Sequence, residues 1–198
     1  YNCLMKKKLI LIGSGGHAIS CIDVVELENK FNIFGLISED NSKVINGYKI
    51  IGSDKDLKLI RKKIDYALIG IGQITNSLIR KNLFNLLKKY NYKLPTIISP
   101  KSYVSNKSTI LEGSIVMHNA LVNSHAKIGK NCIINSNAII EHSAVIGDNC
   151  HISTGAVING NCKISKNTFI GSNSTLHHDI QIKANSIIPA GSVIKKNI

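Results

Sequence analysis

Two groups of residues in this 198-residue chain could do chemistry. The first is Gly13-Ser14-Gly15-Gly16-His17, set between an apolar run and a helical pattern. Glycines at a strand-to-helix turn let backbone N–H groups approach a pyrophosphate, and the helix N-terminus adds partial positive charge. Glu39 stands at the end of the next strand, where a carboxylate commonly holds a ribose. By itself such a cluster serves equally well as a structural turn. The second group is the seven histidines, His17, His118, His125, His142, His151, His177 and His178. A neutral imidazole near pH 7 can accept a proton from an amine or hydroxyl. His142 and His151 are singled out by their places in a repeat.

That repeat occupies the second half of the chain. Every sixth residue from Val104 to Ile194 is Val, Ile or Leu, without a slip, and two places before nearly all of them is a small residue. Side chains alternate along a strand, so both members of the pair face inward while the residues between pairs turn a corner. Three such segments close one coil, the pattern of a hexapeptide-repeat parallel β-helix. Three places after each aliphatic comes Gly, Asn or Asp, which tolerate the left-handed backbone of a tight corner. Lys107, His125 and Ser143 are the exceptions, each one coil beyond the last and so stacked on one edge. Local rules tend to break where function intrudes.

The residue before each aliphatic faces outward, which gives three stripes. Ile115, Ile133, His151, Phe169 and Ile187 form the first; Tyr103, Leu121, Ile139, Val157, Thr175 and Val193 the second; Thr109, Lys127, Val145, Lys163 and Gln181 the third. Two stripes are apolar and one is polar. A monomer exposing both apolar stripes would be unusual, and different faces closing on one another around a three-sided prism predict a cyclic homotrimer. His142 lies on the edge where the corner rule fails, and His151 lies in the first apolar stripe. Half a coil separates them, so they can share a site only across a subunit interface.

Upstream, Lys8 to Ile12, Asn32 to Ile37 and Tyr66 to Ile71 read as strands, Ala18 to Glu26 and Asn76 to Lys89 as helices, the latter with apolar Leu78, Ile79, Leu83, Leu86 and Leu87. Alternation of strand and helix predicts a parallel sheet. The fold expected is an α/β Rossmann-like domain over residues 5–98 followed by a parallel β-helix over 99–198, with Pro95 and Pro100 bracketing the linker. Met5 reads as an initiator, preceded by a remnant, Tyr1 to Leu4.

The net charge of +13 is nearly all lysine, since Arg61 and Arg80 are the only arginines. With heavy Asn and Ile usage it reads as compositional bias rather than a nucleic-acid patch, leaving attraction for phosphate-bearing small molecules. No apolar run is long enough to insert in a membrane, and Lys6 to Ile12 reads as a strand rather than a signal peptide. Cys3, Cys21, Cys132, Cys150 and Cys162 lack metal-site spacing. The last three take the small inward position and are expected as free thiols of a cytoplasmic protein.

At these motifs the chain resembles the bacterial sugar acetyltransferases of the UDP-N-acetylbacillosamine N-acetyltransferase and sialic acid O-acetyltransferase type. The carriers are Gly13-Ser14-Gly15-Gly16-His17, Gly70-Ile71-Gly72, Asn135, Ile140-Glu141-His142 with Ile146-Gly147, and His151-Ile152-Ser153-Thr154-Gly155. The resemblance implies a left-handed β-helix, a homotrimer and acetyl-CoA bound in clefts between subunits, with no metal. It implies that His142 is the general base with Asn135 near it, and that Gly15, Gly16, His17, Ser38, Glu39 and Gly72 hold a nucleotide sugar. It also implies that His151, Ser172 and Ala190 lie along the acetyl-CoA. Ser143 departs from the pattern, because related N-acetyltransferases carry there a Glu that orients the base. A second departure is that the sequence stops at Lys196-Asn197-Ile198, without the Pro-rich tail that in this family covers part of the cofactor.

The activity implied is transfer of acetyl from acetyl-CoA to a nucleotide-activated 4-amino-4,6-dideoxy sugar, most simply UDP-linked, for bacterial surface glycan synthesis. O-acetylation of sialic acid or a related nonulosonate is the alternative, with Ser143 in its favour. A trimeric β-helix carbonic anhydrase would need three histidine ligands at an interface, two of them closely spaced on one strand, and no His-x4-His pair occurs. A non-catalytic scaffold would leave His142, His151 and the N-terminal glycines without a role.

Overall fold

The computed structural model describes residues 6–40 and 44–198. Cys3 and Met5 lie outside the described residues. The chain divides into two compact units, one running to Gly72 and taking in Asn82–Pro95, the other made of Gln73–Lys81 and Thr96–Ile198.

In the first unit β1 (Lys7–Ile12), α1 (Gly16–Glu28), β2 (Phe31–Ile37), β3 (Val44–Ile45), β4 (Tyr48–Gly52), α2 (Leu57–Ile60) and β5 (Tyr66–Ile69) are followed by α3 (Leu78–Lys89). The sheet order is β3-β4-β2-β1-β5, parallel except for the β3–β4 pair. The sequence pattern does not announce β3, β4 or α2. Leu9 to Ile12 are buried without alternation, as expected of a central parallel strand covered on both faces. Ile10, Ile12, Ile37, Leu57, Ile64, Ile69, Leu83, Leu87 and Tyr92 pack into one core. Leu78 and Ile79, expected on the apolar face of α3, are instead 58% and 63% exposed.

The second unit is a left-handed parallel β-helix of two-residue strands. They stack into three parallel sheets, one built on Ile97–Ile98 and ending at Ile187–Ile188, one from Tyr103–Val104 to Val193–Ile194, and one from Thr109–Ile110 to Gln181–Ile182. Each residue pairs with its equivalent one coil later, as Ile133 with His151. The inward aliphatics and the small residues beside them form a continuous core that includes Cys132, Cys150 and Cys162. Burial pushes the Cys132 thiol up to about 12 and raises Cys150 and Cys162. Their S–H groups donate to backbone carbonyls, Cys132 to Gly147 at 3.1 Å and Cys150 to Ser165 at 3.2 Å, which marks them as packing residues. On one edge the Asn131, Asn149, Asn167 and Asn185 amides form a ladder at 2.9, 3.2 and 2.9 Å.

The corner rule holds further than its residue types. His125 and Ser143 adopt φ of 61°, with the Asn, Asp and Gly corners from Gly113 to Gly191, whereas Lys107 and Asn197 do not. The expectation of two apolar faces free for neighbouring subunits needs correction. In the first sheet Ile115, Ile133 and His151 are 0%, 0% and 5% exposed, because the chain lays Gln73–Lys81 over them. Arg80, 1% exposed, donates from its guanidinium to the carbonyls of Asn131 and Gly113 at 3.3 and 3.5 Å. The second sheet keeps its apolar stripe, with Tyr103 and Val193 60% and 59% exposed.

Candidate active site

The sequence-derived site residues fall into three places. In the first unit Gly13 to His17, Ser38 and Gly70 to Gly72 line a cavity of about 350 Å³ at the C-terminal ends of β1, β2 and β5. Ligands of open parallel sheets bind at this end. Gly13 has φ of +115° and would press a Cβ to 3.0 Å from Ile71, and a Cβ on Gly70 would meet Leu11 at 2.7 Å. Those two glycines serve the fold. Gly15 and Gly16 have no positive φ, and a Cβ added to either would meet no atom within 4 Å. What they preserve is open space before the N-terminus of α1. The Ser14 and Ser38 hydroxyls are 2.8 Å apart, and Ser14 donates to the Asp40 carboxylate at 3.3 Å. Glu39 does not line the cavity; its charge instead helps raise Asp54 after the larger effect of burial. The acidic group tied to the loop is Asp40, the neighbour of the residue that spacing selects.

His142 lies on the solenoid edge between the second and third sheets. It is exposed, and its carbonyl accepts the Asn161 N–H at 3.1 Å. Its backbone N–H meets the Glu141 carboxylate at 3.3 Å, which also accepts from Asn123 Nδ2 at 2.7 Å. The imidazole lies over Gly160, where an added Cβ would come within 2.6 Å of Cε1 and 2.7 Å of Nε2. Ser143, in its left-handed corner, donates its N–H to Ser124 O at 3.1 Å.

Asn135, Ser172 and Ala190 stand on another edge, between the first and second sheets. Ser172 is hydrogen-bonded to Ser153 at 2.9 Å. His151 Nε2 is 3.1 Å from Asn135 Nδ2, and its Nδ1 is 2.5 Å from the Gln73 carbonyl. Burial lowers the His151 pKa to about 4. One chain therefore joins Asn135 to His151 and leaves His142 on a different edge. No group of three or more His, Cys, Asp or Glu among the described residues could hold a metal ion, and no helix among them is long and apolar enough to cross a membrane.

Residues 8–87 match the PglD N-terminal domain, and residues 125–160 and 161–196 match the bacterial transferase hexapeptide repeats. The chain belongs to the hexapeptide-repeat sugar acetyltransferases. Among solved structures, the acetyltransferase domain of PglB from Neisseria gonorrhoeae, in complex with acetyl coenzyme A, superposes with a TM-score of 0.91 at 25% identity, covering 98% of this chain and 93% of that one. PerB from Caulobacter crescentus, in complex with CoA and GDP-perosamine, gives 0.90 at 24% identity over 96% and 90%. WeeI from Acinetobacter baumannii gives 0.59 at 21% over 95% and 96%. No curated protein sequence matches the chain.

Two outcomes follow for this acetyltransferase. On the expectation that Gly16 borders the nucleotide-sugar site, Gly16→Ala should keep or slightly raise stability, since Ala favours a helix over Gly by up to about 1 kcal/mol, while weakening nucleotide-sugar binding. Thermal denaturation and calorimetric titration of the same sample separate the two effects. His151 has its folded pKa below its unfolded value of 6.5, so its contribution is complete above about pH 6.5 and is lost as pH falls towards 4. The loss approaches about 3 kcal/mol at the acid end. Urea midpoints between pH 7 and pH 4.5 should fall more steeply for the native protein than for His151→Gln.

Proposed function

We propose that this chain transfers the acetyl group of acetyl-CoA to the amine of a nucleotide-linked 4-amino-4,6-dideoxy sugar, UDP-linked, within a cytoplasmic homotrimer that serves bacterial surface glycan synthesis. The observation that carries the reading is the near full-length likeness to an acetyltransferase domain solved with acetyl coenzyme A. The glycine-lined cavity of the first unit supports a nucleotide sugar as the acceptor, with Gly15, Gly16, His17, Ser38 and Gly72 around it. The apolar face of the second sheet, bearing Tyr103, Leu121, Ile139, Val157 and Val193, supports association through one face. Such association would bring His142 of one subunit towards the Asn135, Ser172 and Ala190 edge of the next.

The chemistry asks little beyond placement. A thioester is already activated, so the sugar amine attacks its carbonyl carbon, His142 takes the ammonium proton, and the C–S bond breaks to release CoA thiolate. No enzyme nucleophile is needed. His151, Ser172 and Ala190 would lie along the acetyl-CoA, with Asn135 near the catalytic base.

The O-acetyl reading retains one observation in its favour. No carboxylate follows His142, and the Ser143 hydroxyl has no hydrogen-bond partner among the described residues. Thiol release from acetyl-CoA separates the readings. Turnover with a UDP-4-amino sugar establishes the proposal, turnover with a GDP-linked amino sugar alone replaces the nucleotide, and turnover with free sialic acid alone replaces it with O-acetylation.

A further inference from the structure

We propose that the first unit carries a second anion site, at the end of its sheet away from the glycine-lined cavity, and that this site takes a phosphate or diphosphate group. None of its residues belongs to the sites described above, so it stands apart from the acetyltransferase reading. Lys7, Lys8, Lys63, Asp65 and Tyr66 line a cavity of about 220 Å³ at the N-terminal ends of β1 and β5. The glycine-lined cavity lies at the opposite ends of the same strands, and the six residues of β1 put about 20 Å between the two.

Sheet register gathers the cations. Tyr66 pairs with Leu9, two residues beyond Lys7, and Lys7 pairs with Phe31. On the other edge of β5 the chain returns as Lys93, whose N–H donates to Asp65 O at 2.8 Å and whose carbonyl accepts the Ala67 N–H at 3.1 Å. The Lys7 and Lys93 ammonium groups come 5.4 and 5.6 Å from the centroid of the Tyr66 ring, and Phe31 packs on that ring at 5.2 Å. Lys8 rests over Phe34 at 5.1 Å. An aromatic face attracts a cation, and an ammonium already held in place loses less freedom when a ligand arrives.

The fold does not neutralise this charge. Among the lining residues only Asp65 is acidic, and Arg61 takes its carboxylate at 2.5 Å while the same guanidinium donates to the Asn91 carbonyl at 2.9 Å. Lysines nearby do find partners, Lys30 with Glu28 at 2.8 Å and Lys6 with the Asn29 side chain. Lys7, Lys8, Lys63 and Lys93 have no carboxylate partner among the described residues. Unpaired ammonium groups around one concavity repel each other and draw in an anion. A phosphate or diphosphate offers several charged acceptor oxygens, so more than one lysine can donate to it at once, and each such bond is charge-assisted.

The experiment uses the full-length protein in two arms: calorimetric titration with inorganic pyrophosphate, and co-sedimentation with vesicles of phosphatidylglycerol and phosphatidylcholine in equal amounts. Because the glycine-lined cavity can also accept a diphosphate, the Tyr66 ring signals are followed by NMR to report which site fills. Two double variants remove the same charge, Lys7→Gln with Lys63→Gln at the cavity and Lys127→Gln with Lys163→Gln on the polar stripe of the solenoid. The first should weaken binding at the Tyr66 site about tenfold and the second less than about twofold, and native binding should fall as salt rises. Binding in both arms, or of pyrophosphate alone, upholds the site for a soluble phosphate ligand. Vesicle binding alone that needs Lys7 and Lys63 upholds the phosphate chemistry and assigns it to a lipid headgroup. Equal losses in the two double variants would reduce the effect to net charge and overturn the site. Binding that leaves the Tyr66 ring unmoved, or no binding in either arm, overturns it as well.

Discussion

A His142→Ala variant is expected to lose about 10²–10⁴-fold in kcat, the range set by removal of a general base, while keeping its fold and its KM for acetyl-CoA. On the proposed mechanism His142 contributes chemistry, and its exposed ring contributes little to the packing of the coil. It is exposed, and the coil bond it supplies, Asn161 N–H to its carbonyl at 3.1 Å, belongs to the backbone and survives the substitution. Three of the other histidines are committed elsewhere. His151 is enclosed with both nitrogens engaged, and His118 Nδ1 is held by Ser99 Oγ at 2.6 Å. His125 fills a left-handed corner at φ of 61°, so His125→Asn should leave turnover unchanged. Steady-state thiol release together with thermal denaturation checks the pair. Wild-type turnover in His142→Ala would transfer the proton to some other group.

The solenoid is legible in the sequence because its physics repeats. One aliphatic, one small residue and one corner residue per segment name the inward side chain, the register and the turn, and the stacking of coil on coil follows. The glycine turn is legible because a tight strand-to-helix turn leaves a residue type behind, as at Gly13 with its φ of +115°. What the sequence withholds is where non-periodic chain goes. Nothing in Gln73–Lys81 declares that it covers the first apolar stripe, since Arg80 acts through backbone carbonyls of Asn131 and Gly113, and carbonyls have no residue identity. Periodicity alone therefore places His151 on an outward face and leaves out the chain that encloses it. The helical spacing of Leu78 and Ile79 misleads in the same way, because periodicity assigns a face to a helix but not what lies against it. Spacing alone selects Glu39, which does not line the cavity, and it says nothing of the Ser14–Asp40 hydrogen bond in the same region.

Gly160→Ala is expected to cost turnover without costing the fold, and this isolates the placement of His142 from its chemistry. Gly160 is not a conformational glycine, because its φ is not positive. All three of the nearest atoms to a Cβ added there belong to the His142 ring, at 2.6, 2.7 and 3.3 Å. The side chain that must yield is exposed and can swing outward, so the coil has no reason to break. A displacement near 1 Å is enough to cost about 10²-fold in rate. Gly147→Ala provides the opposite case. There a Cβ would strike the backbone of the next coil, Lys166 N at 2.7 Å and Ile164 O at 3.1 Å, and the coil itself must move, with a stability loss of about 1–3 kcal/mol and little change in turnover per folded molecule. Measured side by side, one variant should lower kcat at constant denaturation midpoint and the other the reverse. Added to His142→Ala, Gly160→Ala should lower turnover no further, since there is no longer a ring to displace. Normal turnover in Gly160→Ala would mean that the reactive ring orientation is not the one seated on this glycine.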